Sequence, residues 1–131
     1  MHRTADEVKT RVFDWGTIKW LVTPHLDEGA GLTTGEVLIY PGQGHAPHRH
    51  PHEEEVIYVI SGRGYSVVDG ERVDWEKGDL VLLPLRPDGV EHQHFNLEPG
   101  KPALWIAFIH FPLRDYVASE MTQLETAKEY K

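Results

Sequence analysis

Residues 45–55 read HAPHRHPHEEE, four histidines and three glutamates in eleven positions of a 131-residue chain that holds nine histidines in all. A solvated charge run favours Lys over His, and an affinity tag sits at a terminus, whereas this stretch is internal and flanked by strand-like sequence. Imidazole and carboxylate crowded in this way point to a metal ion. His48 and His50 are two apart, so on an extended strand they share a face and approach one ion together. Pro51 breaks that strand, and the break resets the alternation so that Glu55, at the head of VIYVISG (56–62), faces the same interior from the next strand. A further ligand comes from VEHQHFN (90–96), where His92 and His94 share a strand face and an antiparallel neighbour about 5 Å away brings them opposite the first pair.

Outward from this stretch the chain reads as strands. TTGEVLIYP, EEEVIYVISG, GYSVVDGERVDW, GDLVLLP, VEHQHFNL and PALWIAFIHFPL are each rich in β-branched or aromatic residues and bounded by Gly, Pro or Asp. Asp69-Gly70 is a two-residue hairpin signal and Pro99-Gly100 marks another turn, so antiparallel neighbours and a sandwich or barrel are expected. RVFDWGTIKWLVT (11–23) predicts two short strands around Gly16. In the tail, 114–131, Val117, Met121 and Leu124 recur at helical spacing and predict a short C-terminal helix. No second domain, repeat or linker is evident, and the expected organisation is a single domain over 1–131, with N-terminal strands at 11–24.

Composition narrows the function. Hydrophobic residues at 40% and charged residues at 26% are ordinary for a globular domain. Thirteen basic against twenty-one acidic residues give a net charge of -8, which repels phosphate backbones and anionic lipid, so the expected ligand is a small molecule rather than nucleic acid or membrane. The absence of cysteine leaves imidazole and oxygen as the metal ligands. MHRTADEVKT lacks the apolar core of a signal peptide, and the longest apolar stretch, ALWIAFIHFPL (103–113), is too short to span a bilayer; cytoplasm is the expected compartment.

The spacing Gly42, five residues, His48-Arg49-His50, four residues, Glu55, six residues, Gly62 resembles the first cupin motif. Gly78, five residues, Pro84, followed by Gly89, two residues, His92, three residues, Asn96, is similar to the second. Residues 85–88, LeuArgProAsp, lengthen the segment between Pro84 and Gly89 beyond the single residue usual in that family. The two motifs and their intervening strands cover 42–96. The resemblance implies an all-β jelly-roll β-barrel in which His48, His50, Glu55 and His92 hold one divalent transition metal in the lumen. Three imidazoles and one carboxylate suit Fe, Mn, Ni, Cu, Co or Zn, and an octahedral ion would keep two positions open.

The four-residue gap before Glu55 resembles germin-like proteins, and the His92-Gln93-His94 run resembles the gentisate-type ring-cleaving dioxygenases. The expected function is therefore a metal-dependent enzyme on a small polar organic compound, of dioxygenase type. The alternatives are a redox-neutral isomerase, lyase or decarboxylase and a non-catalytic small-ligand binder. His94 is a candidate acid or base, a group behind the ligands or an alternative ligand, and Glu54 is the second candidate acid or base. His45 and His52 are expected at the rim, Glu53 and Glu54 in solvent. Asn96, Tyr58, Tyr65, Trp75 and Trp105 are candidates for either pocket lining or core. The resemblance also implies a homodimer, since small cupins commonly pair through strands such as those of residues 1–24 and the tail, which lie outside the motifs.

Overall fold

The computed structural model describes residues 2–24, 26–45, 48–50, 54–110 and 122–123, with backbone alone for 48–50 and 122–123. Among the described residues eleven strands form two sheets. In the first, of six strands, the order is β1 (Thr10–Phe13), β2 (Gly16–Val22), β3 (Leu32–Ile39), β10 (Ala103–His110), β5 (Glu55–Ser61), β8 (Leu80–Leu83). The second runs β11 (Thr122–Gln123), β4 (His48–His50), β9 (Val90–Asn96), β6 (Arg63–Val68), β7 (Glu71–Glu76). Every recorded pairing is antiparallel. Two antiparallel sheets with consecutive strands crossing between them make a jelly roll, the expected architecture. Among the described residues no helix is long and apolar enough to cross a membrane.

The turns follow from their residues. Asp69 (φ 47°) and Gly70 (φ 85°) close the β6–β7 hairpin with Val68 opposite Glu71, and a loop needing two positive φ angles admits Asp-Gly readily. The N-terminal hairpin differs from expectation by two residues. Its loop is Asp14-Trp15, with Phe13 opposite Gly16, and Gly16 opens β2 rather than forming the turn. A Cβ at Gly16 would collide with the Leu38 carbonyl of β3, so the glycine serves close strand approach instead. The expected C-terminal helix falls mostly outside the described residues. Where the tail is described, at Thr122 and Gln123, it is extended and pairs with Arg49 and His48 of β4. A free β4 edge offers this stretch backbone partners, and β-branched Thr122 favours extension.

The core lies between the sheets. Val37, Ile39, Ile57, Val59, Trp105 and Ala107 line it from the first sheet, and Trp75 enters from β7 to meet Trp105 edge-on at 5.6 Å. Trp75 and Trp105 are thus core aromatics. Asn96 is fully buried at the end of β9 and ties the sheets together. Its Nδ2 donates to the Ile39 carbonyl of β3 (3.1 Å) and the Lys101 carbonyl (2.8 Å), while its Oδ1 accepts from the Glu98 amide (2.7 Å).

Replacing Asn96 with Ala strands these groups, at about 1–3 kcal/mol for each that water cannot reach. Asn96→Ala is expected to lower unfolding stability by on the order of 3 kcal/mol, read from the denaturant midpoint at unchanged slope; a loss below about 1 kcal/mol contradicts the stapling role.

Candidate metal centre

The inward face of β9 carries three polar residues in succession among a mostly apolar interior. Burial alternates along VEHQHFN, with Val90, His92, His94 and Asn96 buried and Glu91, Gln93 and Phe95 turned outward. On one side β9 pairs with β4, setting His48 opposite His92 and His50 opposite Val90. On the other it pairs with β6, setting Ser66 opposite His94 and Val68 opposite His92. The segment before β4 follows β9 too, through the Gly44–Phe95 bridge and a His45 amide that donates to the His94 carbonyl at 2.6 Å.

Four sequence-derived ligand candidates are distributed over three strands. Glu55 opens β5 on the opposite sheet, and its alternation with Ile57 and Val59 turns it inward, 8% exposed. Its Oε2 lies 3.8 Å from Nε2 of His92, which is 2% exposed. That separation is too long for a hydrogen bond, and shorter than the roughly 4.2 Å that two ligand bonds of about 2.1 Å can span. The strand register brings the backbones of His48 and His92 face to face. The side chains of His48 and His50 lie outside the described residues. Among the described residues, no third carboxylate or imidazole joins Glu55 and His92 within metal range.

Hydrogen bonds set the two buried imidazoles in opposite tautomers. Nδ1 of His92 lies 2.8 Å from the Val90 carbonyl, which only accepts, so Nδ1 carries the hydrogen and Nε2 presents its lone pair on the side of Glu55. His94 is reversed. Ser66, fully buried, meets two partners among the described residues: Trp75 Nε1, which only donates, at 2.9 Å, and His94 Nδ1 at 2.7 Å. With the indole N–H already received, the Ser66 hydroxyl hydrogen has His94 Nδ1 as its acceptor. Neutral His94 therefore carries its hydrogen on Nε2. His92 thus turns an acceptor nitrogen towards Glu55, and His94 presents an Nε2–H donor.

The remaining candidates fall into place around this pair. His45 is half-buried, edge-on to Trp15 at 4.2 Å and stacked towards His94 at 5.7 Å, and so sits inside the expected rim position. Trp105 meets His94 edge-on at 5.2 Å and closes its apolar side. Glu54 is exposed, as expected of a solvated residue. His52 and Glu53 lie outside the described residues. Tyr58 is on the outer face of β5 and Tyr65 stacks outside on Phe95 at 4.6 Å, so neither lines the lumen. The long 85–88 segment turns tightly, with the Gly89 amide on the Arg86 carbonyl (3.0 Å) and Arg86 3.6 Å from Asp69. Sequence reasoning missed Ser66: an isolated serine in a strand carries no signal until its neighbours are known.

A profile of the cupin domain matches residues 35–109. The chain is a cupin. Gentisate 1,2-dioxygenase from a Ralstonia species is 31% identical over 93 residues, covering 70% of this chain and 25% of that enzyme. The cupin therefore spans about a quarter of that relative's length. Among solved structures, a double-stranded β-helix protein from Klebsiella pneumoniae superposes with TM-score 0.69 at 21% identity, covering 95% of this chain and 92% of that one. A predicted oxalate decarboxylase from Thermotoga maritima gives TM-score 0.70 at 19% identity over 84% and 98%. At such identities the structural likeness establishes the fold.

Nitrogen-15 spectra of histidine-labelled, metal-free protein are expected to show His92 as the Nδ1–H tautomer and His94 as Nε2–H. Ser66→Ala is expected to shift the His94 pattern alone and to cost about 1–3 kcal/mol through the stranded Trp75 N–H. The same tautomer at both positions contradicts the hydrogen-bond assignment.

Proposed function

We propose that this cupin holds one divalent transition metal through His48, His50, Glu55 and His92 and acts as an oxygen-using, dioxygenase-type enzyme on a small polar organic substrate. The carrying observation is the buried His92–Glu55 pair, with the Nε2 lone pair turned towards a carboxylate 3.8 Å away. A divalent cation between them would take the His92 lone pair and neutralise the Glu55 carboxylate at once. The register that sets His48 opposite His92 is consistent with the same centre. Fe, Mn, Co, Ni, Cu or Zn suits such a donor set, and when bound would supply Lewis acidity together with, for Fe or Mn, redox chemistry.

The chain's own residues divide the remaining work. His94, held by Ser66 and Trp75, offers its Nε2–H as a hydrogen-bond donor to a substrate oxygen beside the ligands. Trp105 and the apolar wall behind it keep water from that donor. A substrate able to chelate through two oxygens matches an ion with two open positions. The sequence likeness to a gentisate dioxygenase over 93 residues favours oxygen chemistry above the redox-neutral alternatives, while the likeness to predicted oxalate decarboxylases is one of fold.

Protein loaded anaerobically with Fe(II) is expected to hold about one ion per chain by elemental analysis, and His48→Ala, His92→Ala and Glu55→Ala to lose it. Retention of the ion in all three variants contradicts the ligand set. With the ion present, a panel of gentisate-like acids, catechols and β-dicarbonyls is expected to include at least one compound that drives stoichiometric O2 uptake on an oxygen electrode. Compounds that perturb the metal spectrum without consuming O2 sink the dioxygenase reading, and anaerobic conversion of a keto acid or sugar replaces it with the redox-neutral one.

A further inference from the structure

A hydroxyl lies buried at the level of Glu55 with nothing to bond to. Burial alternates along β3, so Thr33, Gly35, Val37 and Ile39 face inward, and Thr33 is 5% exposed. Among the described residues its Oγ1 is shut from solvent and has no hydrogen-bond partner. The register explains why. Ile109 of β10 lies opposite Thr33 on one side and opposite Glu55 on the other, so an apolar side chain separates the two polar ones. Along β3 the next inward residue is Gly35, which brings no side chain; a Cβ there would come within 3.0 Å of the Trp20 ring on β2. A helical threonine can reach the carbonyl four residues back, whereas an extended strand sends its carbonyls sideways into the ladder. The hydroxyl therefore faces the lumen unmet, at a free-energy cost that a valine of nearly the same shape would not carry.

We infer that Thr33 is a specificity residue, whose hydroxyl hydrogen-bonds a hydroxyl of the substrate at the end remote from the metal. This rests on the reading of the lumen as a metal centre for a chelating substrate. Position supports it first. Thr33 and Glu55 stand in one row, two strand spacings apart, so their backbones are on the order of 10 Å from each other. A compound held beside Glu55 through two oxygens reaches Thr33 only when its further polar group stands across a body about the size of one ring. The neighbouring inward row offers surfaces that suit the face of such a ring, with Trp20 lying over Gly35 and small Ala107 opposite that glycine.

Chemistry supports it second. A threonine hydroxyl both donates and accepts, and so pairs with another hydroxyl in either sense. The row of Thr33, Ile109, Glu55 and Leu83 holds no cation, which suits an uncharged ligand group there rather than a second carboxylate. A buried polar group that stays unmet when the ligand lacks its counterpart also discriminates more strongly than an apolar wall does. The cost of burying Thr33 in the empty fold is thereby recovered only by the right ligand.

Gentisate and salicylate test this, since both offer a carboxylate beside a hydroxyl and only gentisate adds a second hydroxyl across the ring. Calorimetric titration of the anaerobic Fe(II)-loaded chain is expected to show wild type preferring gentisate by about tenfold or more, the effect of one hydrogen bond. Thr33→Val is expected to bring the two affinities within about twofold by weakening gentisate alone, while Thr33→Ser and the outward-facing Thr34→Val keep the preference. Thermal unfolding of the metal-free chain is a second arm that needs neither ion nor ligand. Relieved of a stranded hydroxyl, Thr33→Val is expected to melt on the order of 3 °C above wild type. A lower melting temperature shows that the hydroxyl has a partner within the fold, and overturns the inference. So does a gentisate preference that Thr33→Val retains, or the lack of any preference in iron-loaded wild type. An absence of bound iron overturns the metal centre and this inference together. A preference that depends on Thr33 without O2 uptake once air is admitted upholds the role of Thr33 and rejects the oxygenase reading alone.

Discussion

Folding β9 into the barrel buries two imidazoles and a carboxamide on one strand face, with His92 and His94 each 2% exposed and Asn96 fully enclosed. Each such group costs about 1–3 kcal/mol if it is left without a partner. The surroundings are arranged accordingly. Val90 takes the Nδ1–H of His92, Ser66 with Trp75 behind it serves His94, and the ends of β3 and the 97–102 segment close on Asn96. One strand thus carries an imidazole with a free acceptor face towards Glu55, a donor-type imidazole and a structural staple at successive inward positions. The period of two that spaces them also fixes which neighbour each must have, so the second sheet's order around β9 is set by polar satisfaction as much as by apolar burial.

Where sequence reasoning succeeded, it rested on rigid local chemistry. Asp69-Gly70 is legible because few residue pairs accept two positive φ angles, and the structure closes a hairpin there. The glycines bounding the two motifs, Gly42, Gly62, Gly78 and Gly89, all take positive φ, so the spacing that carried the family resemblance is a spacing of turns. Alternation likewise made the inward course of His92, His94 and Glu55 readable once each strand's start was known. What stayed hidden depended on partners far along the chain. Gly16 looked like a turn residue because its reason for being glycine, the Leu38 carbonyl, lies on another strand. His45 looked like a rim residue because Trp15 and His94, its neighbours in space, are thirty and forty-nine positions away. The division between His92 and His94 required Ser66, which no local pattern marks.

The first sheet shows a related limit of period reading. VIYVIS, LVLL and ALWIAFI were legible as strands, yet a continuous apolar run states that both faces avoid water without stating what covers each. The inward half is accounted for by the core around Trp105. The outward half leaves Tyr58, Leu80, Leu82 and Phe108 exposed, and its continuity across β10, β5 and β8 appears only when the register is known.

Among the described residues the sheet edges are guarded against pairing with another chain. Open edges invite pairing with another chain, and short or charged edge strands discourage it. Here β1 and β8 have four residues each, too few to template a long ladder. β7 presents Arg72, Asp74 and Glu76, and β4 is covered by β11. With these edges shortened, charged or covered, strand addition gains few hydrogen bonds. The same strands β5 and β10 then separate two environments, holding Glu55 and Trp105 towards the lumen and Tyr58 and Phe108 towards the outside.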